Sequence, residues 1–122
     1  MSEMDLPSLV ANYLRLSCVF FAHRLTGFGA MIHALEGQEL TEHRGCTVSE
    51  DPAAGIATII DRSGLIIGKV QPINKADGLF AASIIGAAPQ QFDVCKDSWA
   101  PLDRGLLDST RPPERAPAAP AG

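Results

Sequence analysis

The sequence predicts a mixed α+β domain: an N-terminal amphipathic helix, kinked or broken near Gly27–Gly29, packed on a small antiparallel sheet and followed by a disordered C-terminal tail. Three observations predict it. Apolar residues recur at helical spacing over residues 5–35, two β-branched runs flank a four-residue turn at 61–64, and residues 109–122 are mostly Pro, Ala, Arg and Gly. The domain is expected over 1–108 and the tail over 109–122.

Placed at about 100° per residue, Leu6, Leu9, Val10, Tyr13, Leu14, Leu16, Phe20, Phe21, Leu25 and Phe28 fall on one half of a helical wheel. Ser8, Asn12, Arg15, His23 and Thr26 fall on the other, which defines a wide apolar face. Asp5 stands where an N-cap would, and Pro7 fits the first turn, where a missing N–H costs nothing. Met31, Ile32 and Leu35 return to the apolar face, with His33 and Glu36 opposite, so the phase survives the two glycines. An unbroken helix of this length would run about 45 Å, longer than a domain this small can cover. The glycines either bend it back or leave its end for a second copy. Ser17 and Arg24 interrupt the apolar face: the first can return its hydroxyl to a backbone carbonyl, and the second suits a partnered charge at an interface.

Gly37 is expected to end the helical region, and 38–54 reads as loop with a short strand at Cys46-Thr47-Val48. Ile56 to Ile60 and Leu65 to Val70 read as a β-hairpin around Asp61-Arg62-Ser63-Gly64, with Gly64 left-handed. Consecutive apolar pairs in both arms suggest strands covered on both faces. Residues 79–85 are read as a third strand against the hairpin, although Ala81, Ala82, Ala87 and Ala88 also favour helix. Residues 90–108 are expected to be irregular and anchored by Trp99, and the proline-rich tail holds too little apolar surface to repay its ordering.

Composition narrows the function classes. The 122 residues carry a net charge of −4 and no cluster of Lys or Arg, which disfavours nucleic acid and anionic membrane surfaces. The stretch 16–22, free of charge and histidine, is far too short to cross a bilayer, and no export signal is evident, so a soluble cytoplasmic protein is expected. Three cysteines without metal-type spacing suggest free thiols.

Motifs for chemistry are sparse. His23, His33 and His43 recur every ten residues, which is not a ligand spacing, and the first two lie on the polar side of the wheel as solvated groups. His43, Cys46 and Glu39 approach a metal-like spacing but lack a second half, so no metal and no cofactor is expected. Gly27-Phe28-Gly29 lacks the third glycine and the preceding strand of a dinucleotide site. Glu50-Asp51 and the Glu36, Glu39, Glu42 series read as solvated acidic edges, and Cys95 beside Lys96 as a surface thiol.

Gly55-Ile56-Ala57-Thr58-Ile59-Ile60-Asp61 is similar to the central-helix segment of hotdog-fold thioesterases, with Pro52-Ala53-Ala54-Gly55 where that family has His-Gly-Gly. The resemblance implies a helix here and Asp61 as catalytic carboxylate. Asp61-Arg62-Ser63-Gly64-Leu65 also looks like the hairpin of roadblock-type and other small β domains. The leading expectation is instead a non-catalytic binding or self-association module. The apolar face of 5–35 exceeds what a small sheet covers, so Tyr13, Leu14, Phe20, Phe21, Arg24 and Phe28 would meet a second copy or another protein.

Overall fold

A computed structural model describes residues 5–102 and shows two helices packed on one face of a six-stranded antiparallel sheet. The expected domain end at 108 and the tail from 109 lie outside the described residues. Helix α1 spans Leu6–Phe21. Asp5 sits at its N-cap position but makes no side-chain cap bond; only its carbonyl serves the helix, accepting from Leu9 N–H at 3.0 Å.

The helical region breaks earlier than the glycines suggest. Arg24 N–H reaches back to the Val19 carbonyl at 3.0 Å, and His23 N–H to that of Phe20 at 2.9 Å. Between them, His23 takes a left-handed φ of +60°. This double closure is a Schellman ending with histidine where glycine is usual. Helix α2, Gly27–Gln38, starts afresh from Thr26, whose hydroxyl accepts from Gly29 N–H at 3.2 Å. It continues into a π-helical turn over Glu39–His43 instead of stopping at Gly37.

The strands are β1 Thr47–Asp51, β2 Ile56–Ile60, β3 Ile66–Asn74, β4 Leu79–Ile84, β5 Gln90–Asp93 and β6 Ser98–Pro101. They pair in chain order as a simple meander. The hairpin turn at Asp61–Gly64 is as the sequence suggests: Gly64 has φ +94°, and the register shifts between Ile59 and Ile60 beside it. Residues 79–84 are strand, not helix. The segment expected to be irregular instead supplies β5 and β6. Each is four residues long, and Phe92 and Trp99 pair across them with ring centroids 4.9 Å apart.

Strand alternation decides the core. Ala57 and Ile59 of β2, Val70 of β3, Phe80, Ala82 and Ile84 of β4, and Phe92 of β5 are buried with Leu9, Val10, Tyr13, Leu14, Cys18 and Phe21 of α1. Gly68 lies directly under α1: a Cβ there would overlap Val10 Cγ1 and come within 3.2 Å of Leu14 Cδ1. The absence of a side chain lets the helix approach the sheet. Ile56, Thr58 and Ile60 alternate to the other side of β2 and remain half-buried, so these apolar pairs are not sealed on both faces.

Candidate functional site

Tyr13 and Ser17 are four residues apart and therefore stand above one another on α1. Glu50, on the inward phase of β1, rises beneath them, and α2 brings His33 over the same point. Glu50 Oε2 receives the Tyr13 hydroxyl at 2.7 Å and the Ser17 hydroxyl at 2.8 Å, with His33 Nε2 at 3.0 Å. The His33 ring stacks on Tyr13 with centroids 4.6 Å apart. Burial pushes the Glu50 carboxyl up, but the hydrogen bonds from His33, Tyr13 and Ser17 outweigh it and hold the group below its ordinary range. Burial pushes the Tyr13 phenol well above its ordinary value, and the Glu50 carboxylate adds to this.

A second polar string lies alongside. Asp97 holds Arg15 at 3.2 Å, Arg15 donates to Asn12 Oδ1 at 3.1 Å, and Asn12 donates to Glu36 Oε2. The other Glu36 oxygen is buried without a partner, and burial raises this carboxyl.

Serine, histidine and glutamate together suggest a nucleophile, but the geometry is not that of one. A triad histidine spends one ring nitrogen on the serine and the other on the carboxylate. Here the same Nε2 meets both, at 3.0 Å each. Ser17 is fully buried and its hydroxyl also lies 3.0 Å from the Tyr13 carbonyl. The arrangement is a polar lock joining α1, α2 and β1. His33 and Glu36 are therefore not the solvated groups expected from the wheel. The available signal was Ser17, a hydroxyl in the middle of an apolar face.

The lock determines what α2 shows to solvent. With His33 and Glu36 turned inward, none of its residues is fully buried; Ile32 is half-buried, while Phe28, Met31 and Leu35 face out. Phe28 is 71% exposed, Met31 49% and Leu35 53%, with Phe20 of α1 also exposed. Of the residues expected to meet a partner, Tyr13, Leu14 and Phe21 lie inside the core of the single chain and are unavailable; Phe20, Arg24 and Phe28 are at the surface. One continuous wheel over 5–35 put all six on one face. The Schellman turn at His23 resets the direction, so α1 spends its apolar side on the sheet while α2 points its own outward. Arg24 and Phe28 also line a cavity of about 390 Å³ between the two helices and the β5–β6 turn, along with Leu16, Ile32 and Val94.

Asp61 is not on a helix. The stretch similar to the hotdog segment is β2, and Asp61 closes the β2–β3 turn, accepting from Ser63 N–H at 2.9 Å, Ser63 Oγ at 2.7 Å and Leu65 N–H at 3.0 Å. The Ser63 hydroxyl and the turn amides hold its carboxyl below the usual range. It lines neither the cavity beside Phe28 nor those beside Ala82 and Trp99. Glu39 and His43 lie 3.9 Å apart and Cys46 is buried; among the described residues no histidine, cysteine and carboxylate group is disposed to hold a metal ion.

Fold and site together define a small α+β domain, two helices on a six-stranded antiparallel meander, whose second helix is held by polar groups and presents its apolar side outward. No protein-family model, no curated protein and no solved structure matches the chain.

Proposed function

We propose that the chain is a non-catalytic binding and self-association module acting through the outer face of α2. One observation carries this reading: the helix is docked by His33 and Glu36 and leaves Phe28, Met31 and Leu35 exposed. A surface helix ordinarily buries its apolar stripe and solvates its polar one. The reverse orientation leaves a contiguous apolar patch, the kind of surface that marks a contact site. The acidic balance of the chain favours a protein as the occupant over nucleic acid. No helix among the described residues is long and apolar enough to cross a membrane. Free thiols at Cys18, Cys46 and Cys95 favour a reducing compartment, in keeping with a cytoplasmic setting.

The test is sedimentation velocity over the micromolar range. Wild type is expected to associate with rising concentration, and the double variant Phe28→Ser, Met31→Glu to stay monomeric with an unchanged circular dichroism spectrum. A wild type that remains monomeric across that range overturns the reading.

A further inference from the structure

The polar groups that dock α2, His33 and Glu36, sit beyond its first turn, and there a cavity of about 390 Å³ separates the helix from α1 and the β5–β6 turn. Small-molecule sites span roughly 300–1,000 Å³, so this one has room for a modest ligand. Its walls are largely aliphatic. Leu16 of α1 and Val94 of the turn are buried, and Val19 and Ile32 are half-buried. Three charged side chains also line it, and one of them is unspent. Arg15 is held by Asp97 at 3.2 Å and donates to Asn12 Oδ1 at 3.1 Å. Arg24 is fixed through its backbone, whose N–H donates to the Val19 carbonyl at 3.0 Å. Among the described residues, no ion pair or side-chain hydrogen bond engages its guanidinium.

From this lining we infer that the cavity is a binding site for a small aliphatic monocarboxylate. Its carboxylate meets Arg24, and its hydrocarbon body lies against Leu16, Val19, Ile32 and Val94. Covering aliphatic walls removes apolar surface from water on both partners, which favours a hydrocarbon body over a polar one. The guanidinium presents paired N–H donors in the plane and spacing of a carboxylate. With Arg15 neutralised by Asp97, the lining carries one net positive charge, which a single anionic group balances. A second anionic group would find no free cation and would lie near the Asp97 carboxylate. Base stacking has little to offer here, because Phe28 is the sole aromatic side chain of the lining and is 71% exposed. This ligand site goes beyond the self-association reading and does not depend on it.

The experiment is a titration of the full chain with octanoate, followed by amide NMR, with 1-octanol as the uncharged ligand of the same chain length. Octanoate is expected to give saturable shifts at the amides of Leu16, Arg24, Ile32 and Val94, and to bind about fivefold more tightly than 1-octanol. That factor is the upper end for an ion pair in contact with solvent. Arg24→Gln, at an exposed position, is expected to lower octanoate to the affinity of 1-octanol and to leave 1-octanol unchanged. Ile32→Trp fills the cavity and is expected to abolish binding of both; should it fail to fold, Arg24→Gln still decides. Repeating the titration on Met31→Glu, which leaves the cavity lining intact, separates ligand binding from self-association. Equal affinity for the two ligands, an Arg24→Gln variant that binds octanoate like wild type, or shifts confined to Met31 and Leu35 on the outer face of α2 would each overturn the proposal. So would the absence of saturable binding.

Discussion

The Tyr13 hydroxyl donates to Glu50 Oε2 at 2.7 Å, tying α1 to the edge strand β1 with an oxygen that also accepts Ser17 and meets His33. Removing the acceptor strands three polar groups in a half-buried space, and an unsatisfied buried donor costs more than a made hydrogen bond contributes. Glu50→Ala is expected to lower unfolding stability in urea by about 2–3 kcal/mol, and Glu50→Gln, which keeps an oxygen in place, by less. The wild-type carboxylate also gives a pH signature. Its folded pKa is depressed, so its contribution is present above the unfolded value near 4.5 and disappears as pH falls through the folded one. A loss under about 0.5 kcal/mol in Glu50→Ala, within the range of ordinary surface substitutions, would show that the lock does not hold the helices.

Glu36 behaves in the opposite sense. Its folded pKa is raised above 4.5 because burial penalises the ionised form, and one oxygen has no partner. Its contribution is therefore fully present below 4.5 and lost as pH rises through the folded value. Glu36→Gln abolishes that loss. Chemical denaturation at pH 8 is expected to find the variant more stable by about 0.5–1 kcal/mol, a figure reduced for the partial exposure of the site, with the advantage shrinking toward pH 4. An advantage that does not change with pH would mean that the carboxyl titrates as though solvated.

How far the sequence reveals this molecule depends on how local each signal is. The α1 face, the Asp61–Gly64 turn and the strand over 79–84 are legible because periodicity and turn chemistry act within a few residues. β5 and β6 are not, since Gln90, Gln91, Asp93 and Ser98 are polar and only Phe92 and Trp99 mark the inward phase. The break at His23 is hidden because a left-handed histidine carries no composition signal, whereas Gly27 and Gly29 attract attention. That one residue inverts the reading of α2. It moves Tyr13, Leu14 and Phe21 from a partner surface into the core, and His33 from solvent into contact with Glu50. The Glu50 site needs three elements brought together across 17 to 37 positions of sequence, and only Ser17 hinted at it.

Gly68 tests the approach of α1 to the sheet. Its pseudo-Cβ position is filled by Val10 and Leu14, both fully buried and held by neighbours on every side. Forcing a methyl into a packed core of this kind costs typically 1–3 kcal/mol. Gly68→Ala is expected to lower the thermal midpoint accordingly, and adding Val10→Ala, which vacates the clashing methyls, to recover part of the loss beyond additivity. Strict additivity of the two changes would place the helix farther from β3 than the packing indicates.

Thr26 tests whether α2 opens independently of the body. Its hydroxyl accepts from Gly29 N–H at 3.2 Å and is the side-chain cap of a helix with no fully buried residue. Loss of such a cap costs about 1 kcal/mol. Elements with few buried apolar contacts open by local fluctuation before the whole domain unfolds. In Thr26→Ala, amide hydrogen exchange over residues 30–38 is therefore expected to quicken about fivefold, since 1 kcal/mol is a factor of that order, while the amides of β2, β3 and β4 keep their protection. Equal acceleration in helix and sheet would show that α2 unfolds only with the domain, and that the polar lock under His33 makes it part of one cooperative unit.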